Sequence, residues 1–82
     1  MNAKYIKKRF VELESKKNSN NIAIRVAGVN GYKFTFDILN GSSIVDIEVS
    51  ENYDVMILTW PDNEYHIDCK DIIEIVVSEI KN

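Results

Sequence analysis

His66, Asp68 and Cys69 stand close together and are the one grouping in the chain with the makings of a nucleophilic site, since a histidine can take a thiol proton and leave a reactive thiolate. On a strand, however, positions 66 and 69 point to opposite faces, and no further acid–base set accompanies them. The reading adopted is therefore a surface histidine and a buried or half-buried thiol behaving as a small hydrophobe. With one His, one Cys and scattered carboxylates, no recognised metal-ligand spacing is present. The glycines, Gly28, Gly31 and Gly41, precede strands rather than a helix and suit turns, not a phosphate-binding loop. The expectation is a non-enzymatic protein without cofactor or metal.

Three other groupings bear on binding. Asp37, Asp46 and Glu48 occupy outward positions on consecutive expected strands, with Glu51 and Asp54 at the far end. On neighbouring strands such an acidic strip costs roughly 0.2–1 kcal/mol for each directly opposed pair, and its carboxylates imitate a run of phosphates. Met56, Leu58 and Trp60 sit in an apolar run, Val55-Met56-Ile57-Leu58-Thr59-Trp60. They either form the centre of an interface, partly exposed opposite the helices, or are buried if the sheet curls into a small barrel. Lys4, Lys7, Lys8 and Arg9 form a basic cluster near the N-terminus, able to neutralise phosphates if nucleic acid is the partner.

The charges are unevenly distributed. Through Thr35 there are eight basic and two acidic residues, and from Phe36 onward two basic and eleven acidic, for a net charge of −3. Either the N-terminal element packs near an acidic sheet, or two oppositely charged faces meet different partners. At 82 residues, residues 1–82 read as one domain with a modest core and little room for a deep private cleft. A hydrophobic content of 45% is too apolar for a disordered chain. No apolar run has the length of a membrane span, no signal peptide is apparent, and the single cysteine cannot form an internal disulfide. A cytoplasmic monomer or homodimer is expected.

The elements that must position these groups are organised around Ile22–Leu58. Asn2 to about Lys17 reads as an amphipathic helix with Asn2 as N-cap and Tyr5, Ile6, Phe10 and Leu13 inward. Asn18–Asn21 connects it to a strand over Ile22–Ala27 with Ile22, Ile24 and Val26 inward. Asn30-Gly31 and Asn40-Gly41 are hairpin signals, because a two-residue type I′ loop needs positive φ at both central residues. Between them Tyr32, Phe34, Phe36 and Ile38 alternate with Lys33, Thr35 and Asp37. Further strands are expected over Ile44–Ser50, Val55–Trp60 and Glu64–Ile67, the turn before the last carrying Pro61.

The C-terminal segment fits two periods. Ile72, Ile73, Val76, Val77 and Ile80 fall on one helical face, with Asp68 and Asp71 placed as a cap. Read as a strand, Ile73, Ile75 and Val77 alternate with Glu74, Val76 and Ser78, and the β-branched content favours it. The helix is preferred. The expected fold is therefore α+β: an N-terminal helix, an antiparallel meander of about five strands and a C-terminal helix, both helices on one face. The alternative is a small Sm/SH3-like β-barrel with an N-terminal helix, in which the segment from Asp68 to Val77 is the last strand. The series of turns from Phe34 through Asn40-Gly41 to Ile72-Ile73-Glu74-Ile75 resembles a Sm-like chain.

High Ile, Asn and Lys with little Ala is the usage of AT-rich genomes, such as those of low-GC bacteria and their phages. In size, charge and layout the chain resembles small phage-encoded inhibitors, anti-CRISPR proteins among them, and no residue roles follow from that likeness. The expected function is protein–protein binding, as a small phage or mobile-element inhibitor whose acidic sheet face occupies a basic nucleic-acid-binding surface. The alternatives are a nucleic-acid-binding module using the basic N-terminal helix, and an oligomerisation domain using Met56, Leu58 and Trp60.

Overall fold

The computed structural model describes residues 1–17 and 21–80, and the side chains of 1–12 and 21–80 among them. Among the described residues one α-helix, α1 (Ala3–Lys17), precedes six strands: β1 (Ile22–Gly28), β2 (Lys33–Ile38), β3 (Asp46–Ser50), β4 (Val55–Thr59), β5 (Glu64–Asp68) and β6 (Ile72–Glu79). They form two three-stranded antiparallel sheets, in the orders β2-β1-β6 and β3-β4-β5.

Helix α1 begins where expected. The Tyr5 N–H donates to Asn2 Oδ1 at 2.9 Å, so Asn2 is the N-cap. A second acceptor comes from far along the chain, as the Ala3 N–H donates to Asp54 Oδ1 at 2.7 Å. Ala3 and Ile6 are buried and Phe10 packs on the core, but Tyr5 faces solvent rather than inward. Leu13 lies outside the described side chains, and residues 18–20 of the expected connection lie outside the described residues.

Both Asn-Gly pairs adopt the backbone their residue types predict. Asn30 and Gly31 have φ of 67° and 79°, and Asn40 and Gly41 have 53° and 78°. At the first pair the connection is the three residues Val29–Gly31, with the Gly28 N–H donating to the Tyr32 carbonyl at 3.0 Å. At the second, Leu39 and Ser42 exchange both backbone hydrogen bonds across the two-residue turn. That pairing stops after one bridge, and β3 runs in the other sheet. The expected single meander is thereby cut in two.

The preferred C-terminal helix is not found. Ile72–Glu79 is a strand that pairs antiparallel with β1, Ile24 opposite Val77 and Val26 opposite Ile75. The physical reason lies in β1: its second edge would otherwise expose unpaired N–H and C=O groups, and a β-branched segment satisfies them while burying apolar surface. A helix over these residues would satisfy its own backbone and leave that edge open. Asp68 precedes a single 3-10 turn, Cys69–Asp71, and makes no side-chain capping bond to it.

The core lies between the sheets and under α1. Ile22, Ile24 and Val26 from β1, Phe36 and Ile38 from β2, Val45, Met56, Leu58, Ile67, Cys69 and Ile72 fill it together with Ile6. No buried side-chain nitrogen or oxygen among the described residues lacks a hydrogen-bond partner. No helix among the described residues is long and apolar enough to cross a membrane.

Candidate acidic interface

Register decides what each sheet shows to solvent. In the second sheet Asp46 pairs with Thr59 and Thr59 with Glu64, Glu48 with Ile57 and Ile57 with His66, and Ser50 with Val55 and Val55 with Asp68. Directly paired residues share a face, so these nine form one surface. Four carboxylates, Asp46, Glu48, Glu64 and Asp68, are exposed on the two edge strands, flanking the half-buried Val55, Ile57 and Thr59 of β4. With same-face neighbours about 7 Å apart along each strand, the array is about 14 Å long and about 10 Å wide across the two strand spacings. It holds no lysine or arginine. His66 lies among the carboxylates, its Nε2 2.7 Å from Glu64 Oε2.

The first sheet's outer face contrasts with it. There Lys33 and Arg25 offset Asp37 and Glu74, and Arg25 Nη2 lies 2.9 Å from Glu74 Oε1. Cations and anions are thus equal in number on that face, whereas the outer face of the second sheet carries four carboxylates and no lysine or arginine.

The acidic strip expected from the sequence is rearranged accordingly. Asp46 and Glu48 are exposed on β3 as expected. Asp37 is exposed on β2 but belongs to the other sheet, opposite Ala23, because the chain leaves the Leu39–Ser42 hairpin before β3 pairs. Its place is taken by Glu64 and Asp68, which reach the same face through β5. Since β4 separates the acids of β3 from those of β5, no two are directly opposed, and the expected cross-strand repulsion is largely avoided. Glu51 is exposed in the turn after β3. Asp54 is half-buried with φ of 52°; its carboxylate caps α1 and its carbonyl accepts from the Cys69 N–H at 2.9 Å, which makes it a joint within the fold.

Met56 and Leu58, expected to be partly exposed if they formed an interface, are 0% exposed. They lie on the inner face of β4, paired with Val49 and Ile67 and with Ile47 and Tyr65, because the second sheet turns that face toward the first. The apolar residues left on the outer face are Val55 and Ile57. Trp60 is half-buried in an aromatic cluster, its ring centroid 6.1 Å from Phe34, 6.2 Å from Phe36 and 5.6 Å from Tyr65. Phe34 and Tyr65 stand 4.9 Å apart, joining the free edges of β2 and β5.

In the basic cluster Lys4, Lys7 and Lys8 are exposed, whereas Arg9 is half-buried and bonds Glu12 at 3.3 Å. Lys7 and Asp46 line the same cleft between α1 and β3, so the basic helix and the acidic sheet meet there. The expected separation of His66 from Cys69 holds. His66 is exposed beside Glu64, and Cys69 is buried with its thiol pushed above the ordinary range by burial, and further by the Asp54 carboxylate. No group of three or more His, Cys, Asp or Glu side chains among the described residues is arranged to hold a metal ion.

Nothing in the sequence alone marks Glu64 or Ile57 for this face, and Asp68 stands out there only as a neighbour of His66 and Cys69 and as a helix cap. Their signal was the alternation on the fourth and fifth strands, legible only once the register between them was known. The chain matches no family model, no curated protein and no solved structure.

Proposed function

We propose that the chain is a non-enzymatic binding domain whose outer β3-β4-β5 face engages a basic surface on a protein partner, acting as an inhibitor where that surface binds nucleic acid. The observation that carries this reading is the array of Asp46, Glu48, Glu64 and Asp68 around Val55, Ile57 and Thr59, without a lysine or arginine among them. An apolar strip rimmed by charges of one sign suits association, since the strip is desolvated on contact and the rim steers and orients the partner. A face meant only for solubility has no need of single-sign charge, as the mixed face of the other sheet illustrates.

The finer reading of the fold is a small barrel of the SH3 or Sm type capped by α1. It is supported by the N-terminal helix ahead of two three-stranded antiparallel sheets, and by the 3-10 turn leading into a last strand that returns to β1.

A lysine-rich decapeptide titrated into the isotopically labelled protein at low salt is the test. Expected are amide shifts centred on Asp46, Glu48, Ile57 and Glu64, and at least tenfold weaker binding when Asp46 and Glu48 are both replaced by lysine, with the folded spectrum retained. Equal affinity for that variant refutes the reading. A parallel titration with generic duplex DNA is expected to give no binding. Salt-dependent DNA binding abolished by replacing Lys4, Lys7 and Lys8 with alanine would favour the second reading, a nucleic-acid module using the exposed lysines of α1.

A further inference from the structure

One cleft at the margin of the acidic face has a different composition from the rest of the surface. It lies where the free edges of β2 and β5 approach each other, has a volume of about 280 Å³, and is lined by Tyr32, Phe34, His66, Ile67, Asp68 and Asp71. Small-molecule pockets occupy about 300–1,000 Å³, so this cleft lies just under that range and has room for the end of a long side chain. Its walls divide by chemistry into aromatic rings on one side and carboxylates on the other.

The aromatic wall is held in place. Tyr32 packs edge-on against Phe34 with centroids 5.7 Å apart, and Phe34 leans on Tyr65 and Trp60 behind it. Beneath Tyr32 lies Gly28, where a Cβ would run into the phenol ring. The glycine thus lets the ring lie flat on the backbone of β1. On the other wall neither Asp68 nor Asp71 has an ion-pair or hydrogen-bond partner among the described residues. Both carboxylates lie near enough to act on the Tyr32 phenol, which is held above its ordinary value first by burial, then by Asp71, then by Asp68.

We propose that this cleft receives the cationic tip of a lysine or arginine side chain presented by the basic partner. The proposal rests on the reading of the acidic face as a partner surface and adds the anchor by which that partner is registered. Ring faces attract a cation through their quadrupole, and Tyr32 and Phe34 present two rings to one side of the cleft. The two unmatched carboxylates supply the counter-charge. An anion is repelled by Asp68 and Asp71, and a neutral apolar group leaves them desolvated without a partner, so the cleft selects for positive charge. Asp68 belongs both to the cleft and to the acidic array, which makes the cleft continuous with the proposed interface.

The test uses the full chain and two sets of probes. n-Butylammonium, which carries the lysine tip without a peptide, is titrated against the labelled protein beside n-butanol, its neutral counterpart. Shifts at Tyr32, Phe34 and Asp71 with the first and none with the second are expected, and equal shifts with both overturn the proposal. The lysine-rich decapeptide is then compared on the unaltered chain, on Tyr32→Leu and on Asp71→Asn. Losing the ring is expected to weaken peptide binding by about two- to fivefold, and Asp71→Asn, whose side chain makes no bond within the fold, by at least threefold. If the peptide shifts the Asp46–Glu48 face with unchanged affinity for both variants, the cleft proposal fails and the acidic-face reading stands. If n-butylammonium binds the cleft and the peptide leaves Asp46 and Glu48 unshifted, the acidic-face reading fails instead.

Discussion

Replacing Leu58 with alanine removes most of a side chain that is 0% exposed and paired on the inner face of β4 with Ile47 and Tyr65. Truncations of this kind cost about 2–5 kcal/mol, the transfer term plus the cavity left behind. For a chain of 82 residues the whole stability is about 4–12 kcal/mol, so the variant gives up a large share of it. With a urea dependence of about 1 kcal/mol per molar for a domain this small, the unfolding midpoint falls by about 2 M or more. The neighbouring Ile57→Thr on the outer face keeps β-branching and loses only half-buried surface, so its expected cost is under about 1 kcal/mol. The measurement is urea unfolding of both variants followed by tryptophan fluorescence, Trp60 being the chain's one tryptophan. A Leu58→Ala cost below about 1 kcal/mol, or equal costs for the two substitutions, would refute the assignment of inner and outer faces. The acidic interface would fall with it, because the same register puts Asp46 and Glu48 outside.

Other outcomes follow from the same structure. Asp54→Ala loses the acceptor that caps α1 at Ala3 and puts a Cβ-bearing residue less suited to φ of 52° in the turn, so it costs about 1–2 kcal/mol by urea unfolding. Asp54→Asn keeps both an acceptor and tolerance of that backbone, and recovers most of the loss. Gly28→Ala forces Tyr32 off β1 and costs about 1–3 kcal/mol, with the largest chemical-shift changes at Tyr32 and Phe34. Cys69 and Tyr32 are both held above their ordinary values of 9.0 and 10.0. In alkali the unfolded chain therefore releases these protons first, and their contribution to stability, full below pH 9, declines as pH rises past that point. Unfolding midpoints measured from pH 7 to 11 are expected to fall, and less steeply in a Cys69→Ala variant, whereas parallel curves would count against the burial of the thiol.

Local chemistry made several features legible in the residues alone. Asn2 as N-cap, the left-handed backbone at both Asn-Gly pairs, and the inward sets Ile22, Ile24, Val26 and Phe36, Ile38 all follow from cap preference, φ tolerance and a period of two. These depend on a residue and its near neighbours, and a sequence displays near neighbours. The exposure of Asp46 and Glu48 was legible for the same reason.

What joins distant segments was decided by tertiary structure. Ile72–Glu79 carries apolar residues that satisfy a helical and an alternating period together, and the open edge of β1 selected the strand. Asp37 and Asp46 are separated by a turn whose chemistry predicts a hairpin, yet the ladder ends after one bridge and the two acids fall on different sheets. Met56 and Leu58 were consistent with interface or core until the first sheet covered them. Alternation tells which residues share a face, and only the packing of that face against another tells whether it meets water. The acidic array of Asp46, Glu48, Glu64 and Asp68 is a product of strand register, and register is set by pairing across the chain rather than along it.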